Sequence, residues 1–334
     1  MRTEVLKFSE ESAQKAAEIL KNGGIVAIPT ETVYGLAANA LDENAVRSIF
    51  AAKGRPQDNP LIVHISEIEM MKPLVSDVPE LAKKLAERFW PGPLTMIFNK
   101  TSAVPDVTSG GLSTAAVRMP KNEAARAIIE KCGFPLAAPS ANTSGKPSPT
   151  AAEHVFEDMN GKIPLIIDGG ECAVGVESTV ICFKDGKIHI LRPGGITKEM
   201  LEEFGEVEVD KAVEAAPAPD EKVISPGMKY KHYSPKAEVF IVDAHGDKFA
   251  DYCRKNGGGK TLFLSCGERE GFLDYGETTE IQARRLFSLL RLSDEKGAEK
   301  VFVEMPSKEG VGLAVYNRLL RAAGFKIINV EQYE

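Results

Sequence analysis

Short runs rich in Val, Ile and Leu alternate with helical-period segments along most of this chain, and that alternation restricts it to an α/β architecture. Residues 9–22, SEESAQKAAEILKN, open on a Ser9 cap and place Ala13, Ala16, Ala17 and Leu20 on one face. Gly23-Gly24 ends the helix and the apolar strand IVAIP follows. Asp42 caps a helix to Lys53 whose inner face is Val46, Ile49 and Phe50. PLIVHI reads as a strand, 79–89 as a helix, LTMIFN and AAVRM as strands, and 122–132 as a helix leading into PLAAPS. A helix at 151–158 and the strands PLIID, STVICFK and IHIL complete a first α/β domain over residues 1–205, with a sheet of mixed strand order.

Residues 206–236 break this rhythm. They begin acidic and Ala/Pro-rich, which is linker composition, and end in SPGMKYKHYSPK, where Tyr230, His232 and Tyr233 stand among lysines. From 237 to 334 the alternation resumes: strand AEVFIV, helix 247–255, strand TLFLS, helix 280–291, strand KVFVEM, helix 311–323 and strand KIINV. That order predicts a smaller Rossmann-like α/β domain with a parallel, doubly wound sheet.

With 48 acidic and 41 basic residues the net charge is −7, which disfavours nonspecific nucleic-acid binding and leaves room for a weak, local tRNA contact only. No apolar run reaches the ~18 residues of a membrane span, and the N-terminus carries no apolar signal region. The five cysteines never form a CxxC pair and read as reduced thiols, so a cytoplasmic protein without a zinc site is expected.

Two stretches imitate a phosphate-binding P-loop and fail on spacing. SANTSGKPS has Ser140 where the first glycine belongs and Pro147 where Ser or Thr should follow the lysine. RKNGGGKT has Arg254 in place of the first glycine and leads into a strand rather than a helix. What remains is a set of polar clusters at strand ends, where open α/β sheets bind ligands. PTETVYGL packs hydroxyls behind a buried strand. AAKGRPQDNPLIVHI puts Lys53 and Arg55 at a helix end, with Asn59 and His64 beyond. Cations there also simply complement the helix dipole, but Arg55 lies between Gly54 and Pro56, a restricted backbone suited to aiming a guanidinium at phosphate. GGLSTAAVRMP supplies Ser113, Thr114 and Arg118; APSANTSGKPSPT supplies Ser140, Asn142 and Ser148; GVESTVICF and ILRPGGI add Ser178 and Arg192. Lys53, Arg55, Arg118 and Arg192 thus predict an open cationic cleft rimmed by hydroxyls, suited to a small polyanion such as a nucleoside triphosphate. Glu31, Asp168 and Glu177 are not spaced as a metal cage, so no protein metal site is expected and Mg²⁺ would arrive with ATP.

The ordered set PTETVYGL, KGRP…NPLIVHI, STAAVRMP, APSANTSG and ESTV resembles the YrdC/Sua5 family, and SPGMKYKHYSP followed by a small α/β domain resembles its longer form. The resemblance covers essentially the whole chain. It implies a YrdC-like twisted sheet and L-threonylcarbamoyladenylate synthesis: L-threonine, bicarbonate and ATP give threonylcarbamoyl-AMP and pyrophosphate. A partner tRNA threonylcarbamoyl-transferase complex would then modify adenosine 37 of tRNAs reading ANN codons. It also implies roles. Thr32, His64, Arg118, the backbone at Ala138 and Ser178 would hold threonine, with Tyr34 as a neighbouring wall. Lys53 and Arg55 would face the phosphates as the catalytic pair. Asn59, Thr114, Ser140, Asn142, Ser148, Arg192 and Ser225 would hold the nucleotide. Tyr230, His232 and Tyr233 would help the linker close as a lid.

Two other readings compete. An RNA-binding module is weakened by the charge and by the lack of an aromatic stacking platform. Carbamoyl transfer of the hydrogenase-maturation type would need an acylphosphatase-like segment and zinc-finger cysteines, and neither is present.

Overall fold

A computed structural model describes residues 2–215 and 233–330. The first part is an eleven-stranded mixed sheet. In spatial order its strands are Glu4–Lys7, Leu165–Asp168, Val26–Ile28, Gly35–Asn39, Leu136–Ala137, Ile62–His64, Thr114–Arg118, Leu94–Asn99, Thr179–Lys184, Lys187–Arg192 and Val207–Val209. Helices Glu10–Lys21 and Glu123–Cys132 cover one face near its first edge, burying Ala13, Ala16, Ala17, Leu20, Ala125, Ile128 and Ile129 against Val26, Ile28, Leu165 and Ile167. The alanines let the helix lie close to the sheet. Ser9 caps that helix as the pattern predicts, in a reciprocal capping box with Ser12. The opposite core gathers Leu36, Val46, Ile49, Phe50, Val63, Leu85, Met96, Val117 and Ile181.

Several elements escaped the sequence pattern. GLAAN forms the strand Gly35–Asn39, antiparallel to Val26–Ile28, although it has no β-branched residue; burial on both sides outweighs its weak propensity. Glu4–Lys7 pairs with Leu165–Asp168 at the sheet edge. Residues 206–236, expected to be linker throughout, begin with an ordered stretch. Val207–Val209 adds to the sheet beside Lys187–Arg192, and Lys211–Val213 makes a 3₁₀ turn capped by Asp210.

The second sheet has five parallel strands in the order Leu273–Asp274, Thr261–Ser265, Lys300–Glu304, Glu238–Asp243, Ile327–Asn329. The predicted helix at 280–291 extends over Thr279–Glu295, with Thr278 as its cap. It and Gly312–Ala322 cover one face of this sheet, and their core also takes in Val33 and Val176 from the first domain and Tyr233. The two sheets therefore share apolar packing. No described helix is long and apolar enough to cross a membrane.

Candidate active site

The cleft is assembled from turns and strand ends of the large sheet. Most of the octet PTETVYGL is the connection between Val26–Ile28 and Gly35–Asn39, and Thr30 is its hub. Thr30 Oγ1 donates to the Val33 carbonyl at 2.6 Å and accepts from the N–H groups of Thr32 and Val33 at 3.2 Å. Its single proton is committed to Val33, so the Thr32 hydroxyl, 2.8 Å away, donates to Thr30. Thr32 Oγ1 in turn accepts from Arg118 Nη1 at 3.0 Å. Arg118 Nη2 lies 2.7 Å from Glu31 Oε1, and the Lys121 N–H donates to the other Glu31 oxygen at 3.1 Å. Burial pushes the Glu31 carboxyl up, but the charge and hydrogen bond of Arg118 prevail and hold it below the usual carboxylate range. The crowded hydroxyls thus hold an arginine.

Arg118 ends its strand, in register with His64 on the parallel neighbour. His64 Nδ1 is 3.1 Å from the Ile62 carbonyl. Burial first, then the Arg118 charge, push its pKa down to about 3, so this ring is neutral near pH 7.

At the other end of the cleft, helix Glu43–Lys53 delivers Lys53 and the loop after it delivers Arg55. Lys53 is buried. Its ammonium donates to the Ser140 carbonyl, to the Asn142 carbonyl at 2.6 Å and, more weakly, to Asn142 Oδ1 at 3.5 Å. Burial, with Arg55 close by, pushes its pKa well down. Those three acceptors use all three ammonium protons on the loop 140–142. The Asn142 amide donates to the carbonyls of Thr143 and Lys146, both at 2.9 Å, which tightens the loop further. Arg55 is half-buried and reaches the Pro60 carbonyl at 3.3 Å. Arg192 Nε donates to the Ser178 carbonyl and Nη2 to the Ser178 hydroxyl, each at 3.1 Å, while that hydroxyl also pairs with Thr95 at 2.7 Å. Gly194 must be glycine here: a Cβ would overlap the backbone of residues 177–179.

Lys53, Arg55, Arg118, Lys146 and Arg192 line one cleft of about 750 Å³, counting the part open to solvent, and among the described residues Glu177 is the only acid in its lining. Of the expected site residues, Thr32, Lys53, Arg55, His64, Arg118, Ala138, Ser140, Asn142, Ser148, Ser178, Arg192 and Tyr233 line it. Asn59 and Thr114 do not. Asn59 is buried in its loop, and Thr114 opens the strand that Arg118 closes, roughly 13 Å of extended chain away. Tyr34, expected as a wall, is fully buried; its hydroxyl donates to the Gly170 carbonyl at 2.7 Å and accepts from the Gly169 N–H. Lys53, expected to face phosphates, is spent on the loop instead. Ser225, Tyr230 and His232 lie outside the described residues.

Sequence reading weighed Glu177 only as a metal ligand and missed everything that holds it. Ser148 Oγ donates to Glu177 Oε1, and Arg318 Nε, from the second domain, donates to Oε2 at 2.7 Å. No short-range signal links residues 177 and 318. Among the described residues no group of three or more His, Cys, Asp or Glu could hold a metal ion. Glu31 and Glu177, the carboxylates nearest the cleft, are each paired with an arginine.

Comparison with known proteins gives the same picture. The Sua5/YciO/YrdC family model, described as telomere recombination, matches residues 18–194, and a model described as the threonylcarbamoyl-AMP synthase C-terminal domain matches 196–324. A threonylcarbamoyl-AMP synthase of Pyrococcus abyssi is 48% identical over 97% of both chains; one from Bacillus subtilis is 44% identical over 98% of this chain and 97% of its own. The crystal structure of P. abyssi Sua5 complexed with L-threonine superposes with a TM-score of 0.92 at 46% identity, covering 98% of this chain and 99% of that one. Escherichia coli YciO, 23% identical with a TM-score of 0.51 over 57% of this chain and 96% of its own, shares the fold. The chain belongs to the YrdC/Sua5 family, in the long threonylcarbamoyl-AMP synthase form that carries the C-terminal domain.

Proposed function

We infer that the chain makes threonylcarbamoyl-AMP and pyrophosphate from L-threonine, bicarbonate and ATP, for the threonylcarbamoyl modification of adenosine 37 in tRNAs reading ANN codons. The observation that carries this reading is the convergence of five cations on one cleft with a single acid among the described residues of its lining. The Arg118–Thr32 end suits an amino acid, its guanidinium placed for a carboxylate, and the L-threonine complex of the P. abyssi relative supports that assignment. The Arg55, Ser140, Asn142, Ser148 and Arg192 end suits a nucleoside triphosphate.

The chemistry asks for no protein nucleophile. The threonine amine and bicarbonate give a carbamate and water; a carbamate oxygen then attacks the α-phosphorus and pyrophosphate leaves. Two anions that repel each other must be brought together and charge on the phosphorus stabilised, which arginines and N–H or O–H donors accomplish. Arg55 and Arg192 supply that charge. Lys53 positions Ser140 and Asn142 rather than touching phosphate. Mg²⁺ enters as part of the MgATP substrate. Threonine is preferred over serine by one methyl group, worth about 1–3 kcal/mol, so discrimination is modest. The product passes to a tRNA threonylcarbamoyl-transferase complex, and the protein works in the cytoplasm.

The test is incorporation of labelled bicarbonate into an adenylate, with MgATP, with and without L-threonine. Threonine-dependent label matched by pyrophosphate release is expected. Pyrophosphate release indifferent to threonine would mean another acceptor, and no turnover with salt-sensitive tRNA binding would mean an RNA-binding module.

A further inference from the structure

The second domain carries no recognisable catalytic motif, yet it reaches the cleft. Arg318, on helix Gly312–Ala322, has no exposed surface. Its Nε donates to Glu177 Oε2 at 2.7 Å, Nη1 to Asn317 Oδ1 at 2.8 Å and Nη2 to the Pro193 carbonyl at 3.0 Å, and its guanidinium lies 5.7 Å from the centre of the Tyr233 ring. Burial pushes the Glu177 carboxyl up, but Arg318, then Arg192, and hydrogen bonds from Ser148 and Arg318 prevail and keep it below the usual range. Glu177 is therefore an anion in the wall of a cleft built for anions.

The same domain, with Ser234 just before it, grips the loop that carries Ser148 at three further points. Arg291 Nη2 donates to the Pro147 carbonyl at 2.6 Å and lies 2.9 Å from Asp158 Oδ2, Ser234 N–H donates to the Gly145 carbonyl at 2.9 Å, and Ser288 pairs with Thr150 at 3.2 Å. These contacts fix where the loop stands. Arg318 also pairs directly with the carboxylate in the cleft wall.

Resting on the reading of this cleft as a nucleotide site, we propose that Arg318 is a positioning residue for the nucleotide. From the second domain it cancels the Glu177 charge and holds that carboxylate as the acceptor that orients Ser148, so that the triphosphate does not meet an unpaired carboxylate in the cleft wall. The pair is retained although two buried ions are costly, because Glu177 without its arginine would repel the substrate.

Four full-length proteins test this: wild type, Arg318→Met, Glu177→Gln and the double variant. Affinity for MgATP and, separately, for L-threonine is read by calorimetry, with thermal melts as a fold control. Arg318→Met is expected to weaken MgATP at least about tenfold and threonine by less than about threefold. Glu177→Gln is expected to tighten MgATP, since Arg318 is then uncompensated, and the double variant to return it close to wild type. A purely structural clamp would show no such rescue. If Arg318→Met fails to fold, the order Glu177→Gln tighter than the double variant still decides. MgATP affinities that are flat across the series, or a double variant as weak as Arg318→Met, would overturn the proposal. No MgATP binding by the wild type would instead overturn the nucleotide reading itself.

Discussion

The two ends of the cleft are built on different principles. The Arg118 end is made within one sheet. Thr30, Glu31 and Thr32 come from one connection, and Arg118 and His64 from neighbouring parallel strands in register. The Ser148 end is a loop with its own internal bonds and needs holding from outside, by Lys53 beneath it and by Arg291, Ser288 and Arg318 across the domain interface. Strand register can place two side chains without help, because pleat and hydrogen-bond ladder fix both direction and height. A Ser/Pro/Gly-rich loop has no ladder, so distant residues supply the constraint.

Arg118→Ala should break the first end most severely. It strands Glu31 as a buried, unpaired carboxylate at a cost of about 3–5 kcal/mol, read in a denaturant titration. Product formation should fall roughly 10²–10³-fold, with threonine affinity hit harder than MgATP affinity. Equal loss at both ends would erase the distinction.

Arg55→Ala should do the reverse, raising the KM for ATP by about tenfold through loss of one charge-assisted phosphate contact, with the threonine KM moved less. Steady-state kinetics with each substrate varied in turn checks it.

Gly175→Ala probes the interface without touching a charge. Gly175 has φ +84°, and an added Cβ would overlap the backbone of Ala283 and Arg284 in the second domain. A loss of about 1–3 kcal/mol is expected from strain alone, with MgATP affinity falling more than threonine affinity. If threonine affinity falls equally, the interface supports both ends.

The smallest effect is on pH. His64 and His154 are pushed down to about 3 and about 4, in each case by burial first, so the folded chain refuses protons that the unfolded chain accepts below about pH 6.5. Stability should therefore fall on acidification from there, by at most about 1.4 kcal/mol per pH unit for each ring. His64→Asn and His154→Asn should flatten that slope about equally in chemical denaturation from pH 7 to 5, and only below about pH 4 should His64→Asn matter more. Glu31, Asp158 and Glu177 are each held below their usual values of 4.5, 3.8 and 4.5. Their contribution is present above those values and is lost as pH falls through the lower folded ones.

Much of this was legible locally. The Ser9 and Asp42 caps, the alanine face of the first helix and the Val/Ile runs are read from neighbours a few residues apart, and each formed where the pattern placed it. The cationic cleft was legible too, because Arg118 and Arg192 end strands, Arg55 stands in the loop between a helix and a strand, and such ends converge. GLAAN was not, since an all-small strand owes its state to what lies on either side of it. Nor was the task of Lys53: a lysine before Gly-Arg-Pro looks the same whether its ammonium meets phosphate or two carbonyls of a loop about ninety residues away.

By itself, then, the sequence determined the alternation of elements, two α/β units and which cations end up at strand ends, because capping, periodicity and turn chemistry act over a few residues. Tertiary structure decided what those charges are paired with. Arg118 is tied to Glu31, Lys53 to a loop, and Glu177 to an arginine 141 residues further on. Charge compensation in a buried cleft acts through space, over distances that sequence separation does not encode.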